Sequence, residues 1–306
     1  MAAGSSPQAV GPGAARSVAR IAIGIDGHQE GRDAAVLGTM IAGATGAELL
    51  LVAVHPDPLV VVPAEVGWSA LHKQAEDLLR ETRESVAPSA RIVVETDWSV
   101  PRALGRVVAR EHRDLLVVGS SREATEGRLR IGTRTRQLLC HCPCALAVAP
   151  RGLSSAPGRR LERIAVGYDG GPEADAALAL AASIAVAGHA RLNVMAVVDD
   201  TIPDVGWSQS HHESLMTIWD QVLVPAAQTL GANAHAAVEA TGADASVEVR
   251  RGRPAHLLRE LCDAVDLLVI GSRRWGAVAR VLLGSTGEAL LRDASCPVLV
   301  VPTPEA

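Results

Sequence analysis

Two glycine-rich stretches carry the spacing of an anion-binding loop. The first reads Gly119-Ser-Ser-Arg122-Glu-Ala-Thr-Glu-Gly-Arg128-Leu-Arg130-Ile-Gly132-Thr133. The second reads Gly271-Ser-Arg-Arg274-Trp-Gly-Ala-Val-Ala-Arg280-Val-Leu-Leu-Gly284-Ser285-Thr286. In each, one Gly ends an aliphatic run and another stands before a hydroxyl residue that opens a helical pattern. Glycine lets backbone approach a phosphate closely. A helix N-terminus adds unpaired N–H groups and the positive end of the helix dipole. Thr133, Ser285 and Thr286 can cap their helices or donate to phosphate oxygens. Arg122 and Arg274 cut both ways, since a guanidinium pairs with phosphate but its bulk opposes close approach. Asp26 and Asp169, each ending another aliphatic run, could ligate Mg²⁺, hydrogen-bond a ribose, or shape a turn.

Other nucleotide chemistries are excluded by their missing signatures. The chain has no Gly-x-x-x-x-Gly-Lys-Ser/Thr loop, which argues against a P-loop NTPase. Gly24-Ile-Asp26-Gly27 lacks the helix-opening glycine of a dinucleotide fingerprint. No candidate base stands at a fixed spacing to activate water, so efficient ATP hydrolysis is not supported and enzymatic activity stays undecided.

The elements that must position these residues come in two copies. Ile21-Ala-Ile-Gly-Ile-Asp26-Gly recurs as Ile164-Ala-Val-Gly-Tyr-Asp169-Gly, and Asp114-Leu-Leu-Val-Val-Gly-Ser120 as Asp266-Leu-Leu-Val-Ile-Gly-Ser272. Val66-Gly-Trp-Ser69 recurs as Val205-Gly-Trp-Ser208, and Cys142-Pro aligns with Cys296-Pro. The order is kept, so one ancestral unit is used twice. An insertion in the second copy, between Gly-Trp-Ser and Asp266, reads as a longer helix plus loop. Residues 1–17 read as a disordered leader, 18–150 as the first domain, 151–160 as a Gly/Ser/Pro/Arg linker and 161–306 as the second domain.

Short Val/Leu/Ile runs separated by helical segments predict an α/β fold of two tandem doubly wound five-stranded parallel sheets, in strand order 3-2-1-4-5. Strands are expected near 19–25, 48–54, 91–95, 114–119 and 144–149, and near 162–168, 191–198, 245–250, 266–271 and 297–301. Ligands in such sheets bind beyond the carboxyl ends of the strands, at the switch point. An apolar strand 5 left at a sheet edge invites aggregation. Pairing of strand 5 from one half with strand 5 of the other, in a pseudo-two-fold arrangement, is the natural solution. A homodimer is a further possible assembly.

With these residues in place, the chain resembles the universal stress protein family over about 19–302, as a tandem pair. The family's loop is Gly, two residues, Gly, nine residues, Gly, then Ser or Thr. Gly119 and Gly271 match its first Gly, and Gly132-Thr133 and Gly284-Ser285 its end. Arg122 and Arg274 replace its middle Gly. The resemblance implies that Asp26 and Asp169 sit at the end of strand 1, and that Val54 and Val197 contact adenine through their backbone. Gly252-Arg-Pro254 matches the family's Gly-x-Pro, with Ser99 and Pro101 in the first half. It implies bound ATP, with or without Mg²⁺, no covalent cofactor, and a regulatory or sensing role in stress response or growth control. A nucleotide-independent interaction scaffold and a slow ATPase remain as alternatives. The second half matches better.

Composition narrows the partners. A net charge of −5 and pI of about 6.1 give no basic footprint for nucleic acid. The six aromatics, five Trp and one Tyr, with no Phe, supply no stacking platform. No window is long and apolar enough to span a membrane. Five Cys do not form a disulfide framework, and the expected location is cytoplasmic. Cys140-His-Cys-Pro-Cys144 reads as buried small hydrophobes more than a zinc site, and His211-His212-Glu213 as a solvated helix start. Trp68 and Trp207 are expected in loops after strand 2, and Trp275 beside Arg274.

Overall fold

The computed structural model describes residues 17–55, 64–156, 158–201, 212–274, 281–282 and 284–302. The first half runs β1 (Arg20–Ile25), α1 (Gln29–Thr45), β2 (Glu48–His55), α2 (Ala64–Val86), β3 (Arg91–Thr96), α3 (Val100–Arg110), β4 (Leu115–Gly119), α4 (Thr133–His141) and β5 (Ala145–Ala149). A short 3₁₀ turn, Leu153–Ser155, follows. The second half runs β6 (Arg163–Tyr168), α5 (Pro172–Gly188), β7 (Arg191–Val198), α6 (His212–Thr241), β8 (Ala245–Arg251), α7 (Pro254–Cys262) and β9 (Leu267–Gly271). It closes with β10 (Arg273–Arg274), β11 (Val281–Leu282), α8 (Ser285–Asp293) and β12 (Val298–Val301).

Both halves build the expected sheet. The long strands form one ten-stranded sheet in the order β3-β2-β1-β4-β5-β12-β9-β6-β7-β8. Read inward from each outer edge, each half has the order 3-2-1-4-5 of its own long strands. Every neighbouring pair within a half is parallel, and β5 pairs antiparallel with β12. Continuous aliphatic runs such as Ile21–Ile23 and Leu115–Val117 are buried because helices cover both faces. One core packs α1 and α5 against the sheet, and the other packs α3, α4, α7 and α8 on the opposite face. Both cores run through the two halves.

The pseudo-two-fold axis passes through the central strand pair. Gly119 pairs with Ala149, and Gly271 with Val301. Two residues back from these partners stand Ala147 and Leu299, which are therefore counterparts and pair with each other. The same register corrects the alignment of the cysteines. Five residues back stand Cys144 and Cys296, so Cys144, not Cys142, is the counterpart of Cys296. A similar slip affects Gly252. Its N–H donates to Val198 O at 3.1 Å, as that of Asp97 does to His55 O at 3.1 Å. Asp97, not Ser99, thus holds the place of Gly252.

Local chemistry fixes the ends of the elements. Asp114 Oδ2 accepts the N–H groups of Ala19 (3.1 Å) and Arg20 (2.8 Å), fastening the start of β1 to that of β4. Asp266 repeats this with Glu162 (3.0 Å) and Arg163 (2.9 Å). Asp33 is fully buried on α1, and its carboxylate accepts Gly152 N–H at 2.8 Å and Ser154 N–H at 2.7 Å. This bond ties the connection between the halves to the first sheet's helix layer.

Two features differ from the sequence reading. The short antiparallel hairpin β10–β11 follows β9 where a plain loop was expected. Gly67, Trp68 and Ser69 lie inside α2, not in a loop after strand 2. Part of the second-half insertion is helical, since α6 has 30 residues against 23 in α2. Residues 1–16, Trp207, His211 and Trp275 lie outside the described residues, as do the side chains of Trp68 and Arg274. Among the described residues, no helix is long and apolar enough to cross a membrane.

Candidate functional site

In the second half, β6, β7 and β9 end on the same side of the sheet, and the chain departs from β6 toward β7 on one side and β9 on the other. A cavity of about 330 Å³ opens at this switch point. It brings together Asp169, Val197, Gly271, Gly284, Ser285 and Thr286, six of the seven second-half positions singled out by sequence. Val197, Leu258 and Ile270, all buried, give it an apolar wall. Gly284 is the N-cap of α8, with φ −63° and ψ 166°, so the first N–H groups of that helix open toward the cavity beside the Ser285 and Thr286 side chains. The arrangement offers anion donors at one end and an apolar surface at the other.

Asp169 and Glu173 add carboxylates to the cavity. Asp169 Oδ1 accepts the Gly171 N–H at 3.1 Å, which shapes the turn into α5, and Asp26 Oδ1 does the same for His28 at 3.1 Å. The turn role of these aspartates is therefore present in both halves. Among the described residues, no group of three or more His, Cys, Asp or Glu is arranged to hold a metal ion.

The two glycines of each loop do different work. A Cβ on Gly271 would stand 2.5 Å from Glu173 O, 2.6 Å from its carbonyl carbon and 2.8 Å from its Cβ. A Cβ on Gly119 would collide with Glu30 in the same way, 2.6 Å from its carbonyl carbon. The first glycine is thus required by the protein itself, because the first turn of α1 or α5 crosses the end of β4 or β9. In the first-half loop the second glycine, Gly132, is under no such demand. A Cβ on Gly132 would meet only Ser121, at 3.8 Å. Glu30 and Glu173 were missed in the sequence reading, yet the repeat carries the signal: each stands four residues after its Asp.

The first-half loop makes most of its contacts within the chain. Ser120 Oγ donates to Arg130 O at 3.0 Å and accepts Arg130 N–H at 2.7 Å, closing residues 120–130 into a ring at the end of β4. Arg151 N–H donates to Arg128 O at 3.2 Å, and the Arg151 guanidinium donates to Arg122 O. The Arg122 side chain is exposed. Two cations are matched by carboxylates of the loop: Arg130 within it lies 3.1 Å from Glu123, and Arg151 beyond β5 lies 3.5 Å from Glu126. Leu129 N–H then donates to Ala294 O (2.8 Å), Ile131 N–H to Leu291 O (3.0 Å) and Arg128 Nη1 to Asp293 O (3.2 Å). These bonds satisfy the last carbonyls of α8 in the other half. Asp26 follows β1, Val54 lies in β2, Gly119 ends β4, Gly132 is the N-cap of α4 and Thr133 opens that helix.

A charged knot lies at the rim of the first half. The Asp97 side chain, 2% exposed, takes Arg102 Nε at 3.0 Å, Arg102 Nη2 at 2.7 Å and Arg106 Nη1 at 2.6 Å. The Arg102 bonds and the Ser99 N–H at 2.9 Å hold its carboxyl well below the usual carboxylate range, against the opposing effect of desolvation. Trp98 beside it is exposed, with the Arg102 guanidinium 5.6 Å from its ring centre.

Comparison with known proteins agrees with this architecture. The model of the "Universal stress protein family" matches twice, over residues 18–150 and 160–302. Universal stress protein Rv2005c of Mycobacterium tuberculosis is 23% identical over 299 residues, covering 92% of this chain and 96% of that one. A universal stress protein of Mycolicibacterium smegmatis is 32% identical over 147 residues, about half of each chain (45% of this one, 47% of that one). A crystal structure of a universal stress protein from Archaeoglobus fulgidus superposes with a TM-score of 0.64 at 15% identity, covering 93% of this chain and 98% of that chain. With a duplicated fold, a switch-point cavity and two family matches spanning almost its whole length, the chain belongs to the universal stress protein family.

Proposed function

We propose that the chain binds one adenine nucleotide, ATP in the first place, in the second-half cavity, and acts as a cytoplasmic regulatory or sensing protein in stress response or growth control. The observation that carries this reading is the convergence of Asp169, Val197, Gly271, Gly284, Ser285 and Thr286 on one cavity of about 330 Å³. In this reading the apolar wall of Val197, Leu258 and Ile270 takes the base. The first N–H groups of α8, with the Ser285 and Thr286 hydroxyls, take phosphate oxygens. Asp169 reaches a ribose hydroxyl, or a Mg²⁺ that arrives with the phosphates. The sequence sets no candidate base at a fixed spacing to activate water, which favours binding over turnover as the output. The scaffold alternative is favoured by the first half, whose loop is spent on contacts within the chain.

Nucleotide retention decides between them. Mass spectrometry of denatured, freshly purified protein should release close to one adenine nucleotide per chain, and titration with ATP should give a single site. Gly284→Asp puts a carboxylate at closest approach to phosphate and should weaken binding by about tenfold or more, equivalent to about 1.4 kcal/mol. Gly132→Asp should leave it unchanged. No retained nucleotide and no binding below millimolar ATP would sink the reading in favour of the scaffold.

A further inference from the structure

A pair of thiols sits where α4 hands the chain to β5. Cys142 caps the end of α4, its N–H donating to Leu138 O at 2.8 Å, and Cys144 leads into β5. Two bends at Pro143 and Cys144 fold the chain back between them. The sulfurs therefore lie 3.5 Å apart and share a hydrogen bond. An extended strand would separate residues two apart by about 6.6 Å, near the upper limit for a disulfide. The other half has a second thiol pair at the corresponding place. Cys296, the counterpart of Cys144, shares a hydrogen bond with Cys262 at the end of α7. The partner comes from a different helix, but a sulfur faces a sulfur before the last strand in both copies. Cys262 and Cys296 are both sealed, at 2% exposure, whereas Cys144 is partly open to solvent and Cys142 beside it is buried at 7% exposure, so the oxidant reaches the pair from the Cys144 side.

We propose that Cys142 and Cys144 form a reversible disulfide on reaction with a hydroperoxide, a modification site separate from the nucleotide cavity. The Cys142 thiolate attacks the peroxide oxygen and the O–O bond breaks. This gives a Cys142 sulfenic acid and an alcohol, or water when the oxidant is hydrogen peroxide. The Cys144 sulfur then attacks the sulfenic sulfur, its proton leaves with the departing hydroxide as water, and the S–S bond forms. Two thiols lose two electrons and two protons, and the peroxide takes them up. Either sulfur can donate the shared hydrogen bond; with Cys144 as donor it favours thiolate at Cys142 and pushes the Cys144 thiol up, and the proposed order follows that direction. The product ties the end of α4 to the start of the strand that joins the two halves.

The test uses the full chain carrying Cys140→Ser, which leaves four of the five cysteines. The reduced protein is treated with about tenfold hydrogen peroxide, alkylated under denaturing conditions and peptide-mapped. The expected product is lighter by about 2 Da, has lost two alkylatable thiols at Cys142 and Cys144, and is restored by dithiothreitol. Adding Cys144→Ser should stop the reaction at a Cys142 sulfenic acid that dimedone captures, with Trp emission unchanged as a check on folding. The inference is overturned if Cys142 and Cys144 are recovered as free thiols. It is equally overturned if the bond maps to Cys262 and Cys296, or if Cys142 goes to sulfinic acid without a disulfide.

Discussion

Substituting Gly271 by Ala tests whether the first loop glycine serves the fold or the ligand. The added Cβ would stand 2.5, 2.6 and 2.8 Å from three atoms of Glu173, two of them backbone. Ordinary contact begins near 3.4 Å, so the first turn of α5 must retreat by roughly 0.6–0.9 Å from the end of β9. Backbone cannot rotate out of the way as a long side chain can. The expected cost is therefore at the upper end of the overpacking range, about 3 kcal/mol. At about 2–4 °C per kcal/mol for domains of this size, the melting temperature should fall by roughly 6–12 °C. Gly119→Ala should behave alike, because Glu30 stands over it in the same way. Gly132→Ala meets nothing nearer than 3.8 Å and should cost no more than about 1 kcal/mol, the preference of an N-cap for Gly over Ala. Urea unfolding of the three variants, read as midpoint and slope, measures these differences. If Gly271→Ala unfolds with the wild-type midpoint, or if Gly132→Ala is as damaging as Gly119→Ala, the division of labour between the two glycines is wrong.

Two more substitutions probe the frame. Asp97→Asn should cost about 2 kcal/mol at pH 7, since it weakens charge-assisted bonds to Arg102 and Arg106 whose guanidinium groups are half in water. The native pKa is depressed below the unfolded value of about 3.9, so this stability is present above pH 4 and drains away as pH falls further. Wild type and variant should thus draw together as pH falls below about 4 and meet only well below pH 3 in denaturant titrations, and a difference that stays constant from pH 7 to about pH 2 would contradict the assignment. Val300→Arg places an unpaired charge on a residue 2% exposed, between Leu146 of β5 and Ile270 of β9. It should cost about 3–5 kcal/mol or prevent soluble expression, while Val249→Arg on the outer strand β8, 38% exposed, should be nearly neutral. Equal melting temperatures for those two variants would refute the central β5–β12 pairing.

The sheet was legible because period and repetition report it twice. Short aliphatic runs set the strands, Pro101 and Pro254 mark the first turns of α3 and α7, and each ambiguous segment in one copy is checked by the other. The antiparallel β5–β12 joint was legible for a physical reason, since Leu146 and Val300 could not be left on an open edge. Less legible were distances across the fold. The conspicuous Cys-Pro dipeptides draw Cys142 onto Cys296, but hydrogen-bond register places Cys144 there, because the two copies differ by two residues around that proline. The β10–β11 hairpin was hidden because two residues per strand leave no periodicity to read. The fate of Arg122 was hidden for a different reason. Whether a guanidinium meets a phosphate or the solvent depends on Arg151, twenty-nine residues away, whose side chain donates to the Arg122 carbonyl.

That difference between the loops explains how one duplication yields unequal halves. Helix α8 has nine residues and thus a length of about 13 Å. Its N-terminus lines the second-half cavity, where unpaired N–H groups are useful only if the helix stays in place. Its C-terminus presents orphan carbonyls, and the first-half loop supplies Leu129 N–H, Ile131 N–H and the Arg128 guanidinium to them. A loop bound to a nucleotide must keep its N–H groups and cations for phosphate. The first-half loop instead turns them outward to α8 and neutralises Arg130 with Glu123. Glu123 thus matches a cation of a loop that Ser120 and Arg130 close, and that loop holds the C-terminus of the helix whose N-terminus lines the second-half cavity.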